Sequence, residues 1–379
     1  MNKIAVSFFL IFATLIFAQN AWKGSVEFKD GITCVHNPIQ GMWDNDPSKK
    51  LTLEQIFSVG SLNADDDYLF SWVQDITTDS AGTIYVCDSQ EHRIQVYNKS
   101  GEYIRTIGRQ GQGPGDLMRP MAVRVGPDGR IYVQDDLNYR VSIFKSNGKF
   151  DHSFRYERFA GANLEIDPDG NVLLSMFGEN KENNAPPIVT GYNLKGKTVR
   201  QFGEPLLLLE KDGYGKPYYD SNGFTFLKDG VLLVEFNSSY ILHFYLNQKL
   251  IKVVDRKSDI FTKPEIIETI FKASTGEGSK VKSVLARSRI WKAFPLPSGR
   301  LAVFIQDRGK DFKDKTIGGR DFETVVDIFD DSGKFLKSYA WDWLNLGIIE
   351  HVDQEGYFYT NRGDSEIVPG VTKWRVAIE

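Results

Sequence analysis

The sequence predicts an all-β fold, a six-bladed β-propeller of four-stranded blades. Three observations carry this. One unit is written twice, from Asp79-Ser-Ala-Gly82 to Gly101 and from Gly126-Pro-Asp-Gly129 to Gly148, with a 47-residue offset at every matched position. Its Gly-closed first turn recurs four more times downstream. A strand of the fourth type, Leu53 to Gly60, stands alone before the first unit, and a matching one is missing at the C-terminus. Short alternating apolar runs between Gly turns at a period of this size are the signature of propeller blades.

In the first unit, strand A is Gln74 to Thr78, strand B Thr83 to Cys87, strand C Ile94 to Tyr97 and strand D Tyr103 to Ile107. Ile84, Val86, Ile94 and Val96 are β-branched at period two and suit a pleated surface buried on both faces. Such a sheet cannot cover its own apolar faces, so blades must stack in a closed ring. Later blades are marked by Asp167-Pro-Asp-Gly170, Leu227-Lys-Asp-Gly230, Leu296-Pro-Ser-Gly299 and Glu355-Gly356, giving a count of six. The chain ends after a strand C, Val371 to Ile378, so the N-terminal strand is expected to complete the last blade and remove its open edge.

The run Ile84-Tyr-Val-Cys-Asp88, with His92-Arg93-Ile-Gln-Val and Gly101 behind it, resembles the NHL repeat. With Arg105-Thr-Ile-Gly108-Arg-Gln-Gly-Gln-Gly-Pro-Gly115 between the two units, the chain is similar to secreted bacterial six-bladed propellers of that group. The resemblance implies a propeller fold. Some NHL propellers bind RNA, but a net charge of −4 and a pI near 5.9 argue against a nucleic-acid surface.

The apolar content of 41% and charge content of 25% are those of a globular domain with ample core. Residues 1–18 read as a signal peptide: Lys3 starts it, Ile4 to Phe17 is apolar, and cleavage is expected near Ala18. That run is shorter than the ~20 residues that span a bilayer. The expectation is an exported, monomeric protein of the periplasm or beyond, with no spanning segment. Residues 19–50 contain a hairpin, Gly24 to Val35, and a lead-in; residues 51–379 form the propeller. Cys34 and Cys87 are the only cysteines, and two do not make a disulfide framework, so free thiols are expected over a bridge.

All the extra sequence falls in B–C or D–A connections, at Met176–Pro187, Glu204–Ser221, Asp255–Arg289 and Gln306–Phe322. These lie on one face of an up-and-down propeller. Within the third of them, Lys263 to Ala273 is predicted as a short helix capped by Thr262. Function is therefore expected on this elaborated face and in the channel mouth.

Counting back from the turn glycines puts two tiers of strand-A residues near the channel. One is Asp75, Ala122, Asn163, Gly223, Lys292 and Ile349; the other is Thr77, Arg124, Glu165, Thr225, Phe294 and His351. Asp75, Asn163 and Glu165 are candidate calcium ligands, and Glu165 with His351 a candidate acid–base pair. Six-bladed propellers of the gluconolactonase type hold a catalytic calcium there, but this ring has few oxygen ligands. The favoured expectation is that these groups pair with Arg124 and Lys292, with no cofactor. None of the five histidines forms an HxH or HxxxH pair, which argues against zinc. The Gly108–Gly115 run lacks the Gly-Lys-Ser/Thr ending of a phosphate loop. Arg109 and Arg119 are candidate contacts for an anionic ligand. Tyr214, Tyr218 and Trp341 are candidates for an aromatic platform suited to a glycan, peptide or protein partner. The leading functional expectation is a non-enzymatic binding module, and the alternative a metal-dependent channel-mouth hydrolase or lyase.

Overall fold

A computed structural model describes residues 22–60, 65–156, 160–176, 187–209, 218–272, 278–308, 323–364 and 367–378. The signal segment and Tyr214 lie outside the described residues. Six antiparallel sheets form the blades. Blade 1 is Val73–Thr78, Ile84–Asp88, Arg93–Tyr97 and Tyr103–Ile107. Blade 2 is Pro120–Val125, Ile131–Asp135, Arg140–Phe144 and Phe150–Arg155, and blade 3 is Ala160–Ile166, Val172–Met176, Val189–Tyr192 and Thr198–Phe202. Blade 4 is Asn222–Phe226, Leu232–Phe236, Ile241–Leu246 and Lys249–Arg256, and blade 5 is Ser288–Pro295, Leu301–Asp307, Glu323–Phe329 and Phe335–Ala340. Blade 6 takes Ile348–Val352, Phe358–Asp364 and Ile367–Ile378 from the C-terminus and Leu51–Val59 from the N-terminus. The expected clasp is present. The six A strands follow one another around the ring and meet again between blades 6 and 1.

Burial follows the same logic. Six apolar clusters occupy the six interblade seams, so each blade's core lies between it and its neighbours. The repeated Asp and Arg of the sequence explain part of this order. Asp135 is fully buried and accepts from Met118 N at 2.6 Å and Arg140 Nε at 2.8 Å. Arg140 also donates to the carbonyls of Gln112, Gly113 and Asp116, which pins the Gly-rich run as an interblade connection. Asp88 and Arg93 make the equivalent arrangement in blade 1, with Trp72 N and the carbonyl of Leu69.

The N-terminal hairpin, Ser25–Lys29 and Ile32–Asn37, does more than lead in. Its second strand adds in parallel to Lys249–Arg256 and covers the outer edge of blade 4. Asn37 is the clamp. Its amide donates to Gly333 O (2.9 Å) and Asp255 O (3.1 Å), and its oxygen accepts from Phe335 N (2.7 Å) and Trp22 Nε1 (3.0 Å).

The helix predicted over 263–273 is not formed. Glu265–Lys272 pairs with Gly278–Leu285 as a two-stranded hairpin. Ile266, Ile267, Thr269 and Ile270 are β-branched, and that stiffness at χ1 outweighs the cap signal at Thr262. Cys34 and Cys87 are both free. No helix among the described residues is long and apolar enough to cross a membrane.

Candidate functional site

The channel wall is built from strands A, and most of these strands carry a bulge. Register breaks occur between Val73 and Asp75, Pro120 and Ala122, Ala160 and Leu164, Ile290 and Lys292, and Ile349 and His351. An extra residue bends a strand and re-aims its side chains. Asp75, only 4% exposed, is the hub of what results. Its Oδ2 accepts from Val123 N (3.0 Å) and Arg124 Nη1 (2.6 Å), and its Oδ1 from Lys292 Nζ (3.4 Å). Arg124 Nε reaches Glu165 Oε1 at 3.0 Å. Lys292 pairs with Glu350, whose other oxygen accepts from Asn361 Nδ2 at 2.9 Å. One polar network thus joins blades 1, 2, 3, 5 and 6.

Blade 4 contributes differently. Its A strand is regular and offers Gly223, which has no side chain to send inward. Glu235, opposite Gly223 on strand B, reaches across that gap: a Cβ on Gly223 would lie 2.4 Å from Glu235 Oε1 and 3.4 Å from Asn163 Nδ2. Glu235 is 3% exposed. Its Oε2, like Asn163 Oδ1, is buried with no hydrogen-bond partner among the described residues.

Four carboxyls, Asp75, Glu165, Glu235 and Glu350, therefore face two cations, Arg124 and Lys292. Burial penalises the Asp75 carboxylate, but Arg124 and Lys292 together hold it below its ordinary value. For Glu165 burial outweighs Arg124 and the carboxyl is pushed up. Glu350 is pushed up to about 7 by burial, against the pull of Lys292. Glu235 is pushed up to about 8 by burial, with Lys292 opposing and Glu165 reinforcing. His351, which meets Thr78 Oγ1 at 2.9 Å, is lowered to about 3 by burial, with Arg124 adding to the effect. It is a neutral imidazole across the physiological range.

The sequence-derived tiers are thus met in part. Asp75, Arg124, Glu165 and Lys292 come together. Ile349 and Phe294 do not join them; both pack in the seam between blades 5 and 6. Glu350 takes the channel position because the bulge in blade 6 lies nearer the turn, which displaces a count made from Gly356. Glu235 escaped that count because it lies on strand B. Its signal was available: five residues after the turn glycine the blades carry Cys87, Gln134, Ser175, Glu235, Phe304 and Asn361, and only Glu235 is a carboxylic acid.

The other candidates lie elsewhere. Arg109 is exposed and paired with Asp116 at 2.9 Å; Arg119 is paired with Asp136. Trp341 is not a surface aromatic. It is 3% exposed, stacks edge-on against Phe304 and donates to Gly347 O at 2.9 Å, so it is core. Tyr218 belongs to a short strand, Tyr218–Tyr219, paired with Leu207–Leu209. On the opposite face, an open depression of about 500 Å³ lies between the A–B turns of blades 2 and 3 and the C–D turn of blade 3, lined by Pro127, Asp128, Pro168, Asp169, Asn193 and Lys195. Among the described residues no three His, Cys, Asp or Glu side chains are grouped to hold a metal ion.

A family model described as a 6-bladed beta-propeller matches residues 39–126. In fold the chain is similar to a Bacteroides fragilis protein described as exported, at TM-score 0.57 and 11% identity, covering 91% of this chain and 99% of that one. It is similar also to a Bacteroides vulgatus protein, at TM-score 0.58 and 12% identity, covering 87% and 99%. In sequence it matches Protein brain tumor of Drosophila melanogaster at 37% identity over 76 residues, 20% of this chain and 7% of that protein. Protein lin-41 of Caenorhabditis elegans matches at 45% over 47 residues, 12% of this chain and 4% of that protein, so the chain spans a small part of either relative. The chain is a six-bladed β-propeller, similar in fold to these bacterial propellers.

Proposed function

We propose that the chain is an exported binding propeller that holds a peptide, glycan or partner protein on its B–C/D–A face. The observation that carries this is the inequality of the two faces. On one, the A–B connections are minimal, five of them closed by a backbone bond onto the turn glycine, as from Gly82 N to Asp79 O and Gly299 N to Leu296 O. The C–D connections there are equally short; the one in blade 4 is the two-residue turn Asn247-Gln248, both at positive φ. The long connections of the sequence are all B–C or D–A connections, and the added strands Glu265–Lys272 and Gly278–Leu285 belong to one of them. Variable segments mounted on a rigid ring are where recognition is usually placed. Export rests on the leader expected over residues 1–18.

The hydrolase or lyase reading has less support. It needs Asp75, Asn163, Glu165 and His351 free for a substrate or metal, and Asp75 and Glu165 are engaged with Arg124 and Lys292. A histidine lowered to about 3 is a poor general base near neutrality.

The test compares three proteins for retention on a glycan array and for capture of a saturable component of an envelope extract. They are the unmodified chain, a chain with segments 204–221 and 306–322 shortened, and a chain carrying Asp128→Lys and Asp169→Lys on the opposite face. Loss only on shortening supports the proposal. Unchanged binding after shortening, or loss only in the charge-reversed chain, overturns it.

A further inference from the structure

We propose that the loop-face end of the seam between blades 5 and 6 is a binding site for a carboxylate group, held by Arg289 and Arg362 with the Thr324 hydroxyl beside them. This deepens the loop-face reading, and rests on it for the side from which the ligand approaches.

Strand alternation places these residues. On blade 5, Ala302, Phe304, Val326 and Ile328 pack into this seam, and side chains two residues apart on a strand share a face. Gln306 and Thr324 are a cross-strand pair and project into the same seam; Arg289, in register with Gln306, projects with them. On blade 6, Phe358 stacks on Phe304 across the seam with ring centroids 5.9 Å apart. Arg362 lies four residues farther along that strand, with no register break between them, and so faces the same way. Strand A of blade 5 begins, and strand B of both blades ends, at the side of the long connections. Arg289 is exposed there and Arg362 partly so, which leaves an approach from that side.

The unanswered groups at this place all have hydrogens to give. Arg289 Nε donates to Gln306 Oε1 at 2.8 Å, and its Nη groups have no partner among the described residues. Arg362 has no hydrogen bond or ion pair among the described residues, and its Nε is buried. Thr324 is 9% exposed, and its buried hydroxyl has no partner either. Buried donors are almost always bonded, so the missing partner is an acceptor. It also carries negative charge, because the carboxyls next in sequence are engaged. Asp307 accepts from Ser288 Oγ at 2.6 Å on the other face of the blade, and Asp342 accepts from Asn345 Nδ2 at 2.6 Å. The protein packed around the Arg289 guanidinium, and then the charge of Arg308, pull it from 12.5 down to about 10, so it stays protonated at neutral pH beside a second cation.

A carboxylate answers these needs. Its two oxygens match the parallel N–H groups of a planar guanidinium, and it has no hydrogen to set against them. Arg289 is held ready for it. The guanidinium lies 4.5 Å over the Trp291 ring, and Trp291 Nε1 donates to Ile349 O at 3.2 Å, so the stack is anchored to blade 6. A fork fixed in advance has less freedom to lose on binding.

The experiment is a melting-point titration of the full chain with sodium acetate at pH 7.5 and low ionic strength. Sodium chloride and sodium sulfate at matched ionic strength are the controls. Arg109→Gln, at an exposed arginine of another connection, controls for the loss of one positive charge. The expected result is a saturable rise with acetate beyond that with chloride, in the parent and in Arg109→Gln alike. Arg289→Gln and Arg362→Gln should each weaken apparent affinity about tenfold or more, the usual scale for a hydrogen bond to a charged group. Equal rises with acetate and chloride, or no rise at all, would mean that water and simple salt suffice. A rise with sulfate and none with acetate would mean a tetrahedral anion, and an undiminished rise in both variants would place the anion elsewhere. Each of these overturns the proposal. Capture that survives shortening of 204–221 and 306–322, alongside an intact acetate response in the parent, would sink the loop-face reading alone. Capture lost on shortening, with no acetate response in the parent, would sink this proposal alone.

Discussion

Replacing Glu235 by Gln should make the protein more stable at alkaline pH, and the size of the effect follows from the channel. Glu235 is 3% exposed, and burial pushes its carboxyl from 4.5 to about 8, with Glu165 adding to the rise and Lys292 opposing it. The folded state therefore holds this proton more tightly than the unfolded chain does. Its contribution is fully present below about 4.5 and is lost as pH rises toward 8. At about 1.4 kcal/mol per pH unit, the loss across that window is about 4–5 kcal/mol as an upper figure. Glutamine has nearly the same shape and no proton to lose. The assay is urea unfolding of both proteins at several values from pH 5 to 8.5. Glu350 is pushed up as well, to about 7, and Asp75 is held low, but both are present in each protein and largely cancel in the difference. The variant-minus-parent stability should climb through this window and level off near pH 8. A difference that stays flat from pH 5 to 8.5 would refute the argument that Glu235 is buried without a partner.

Other outcomes follow from the packing. Asn37→Leu removes an amide that makes four bonds across the hairpin, blade 4 and blade 5, and should cost about 2–4 kcal/mol by leaving Phe335 N and the Gly333 carbonyl unpaired. Chemical unfolding checks the loss, and proteolysis should cut first near residues 30–31. Asp135→Ala leaves the Arg140 guanidinium, 13% exposed, without its carboxylate and should cost about 3–5 kcal/mol, where Arg109→Ala on the surface costs less than about 1 kcal/mol. Thiol titration without reductant should find two thiols after unfolding. In the native protein Cys34 should react first, because Cys87 is fully buried with its thiol pushed well up by that burial.

The blade count was legible because the same physical demand recurs in each unit. Tight A–B turns need a residue at positive φ, and the glycines that supply it are spaced by the blade. The repeated Asp and Arg, at 88 and 93 and again at 135 and 140, were visible as pattern; their partners, carbonyls of a preceding loop, were not. The clasp by Leu51–Val59 was legible as a strand without a blade. The channel was read only in part. Period-two counting assumes an unbroken strand, and each bulge shifts the residues beyond it, so Ile349 was placed where Glu350 stands. It also assumes that only strand A faces the channel, which hides Glu235, whose access depends on a glycine in the neighbouring strand. Docking of the N-terminal hairpin in parallel on blade 4 pairs residues more than two hundred positions apart, as at His36 and Asp255, and no local pattern announces it. Trp341 shows the converse: its place in the connection before blade 6 suggested an aromatic platform, and Phe304 and Phe358 bury it.

Lysine-reactive footprinting in a saturating envelope extract tests the assignment of binding to one face most directly. Lys99, Lys145 and Lys195 sit in the C–D turns, while Lys257 and Lys263 lie in the D–A connection that leads from blade 4 into the added hairpin. Modification of Lys257 and Lys263 is expected to fall in the presence of ligand while the turn lysines stay fully reactive. Protection of Lys99, Lys145 and Lys195 with Lys257 and Lys263 unchanged would place recognition on the bare face and contradict it.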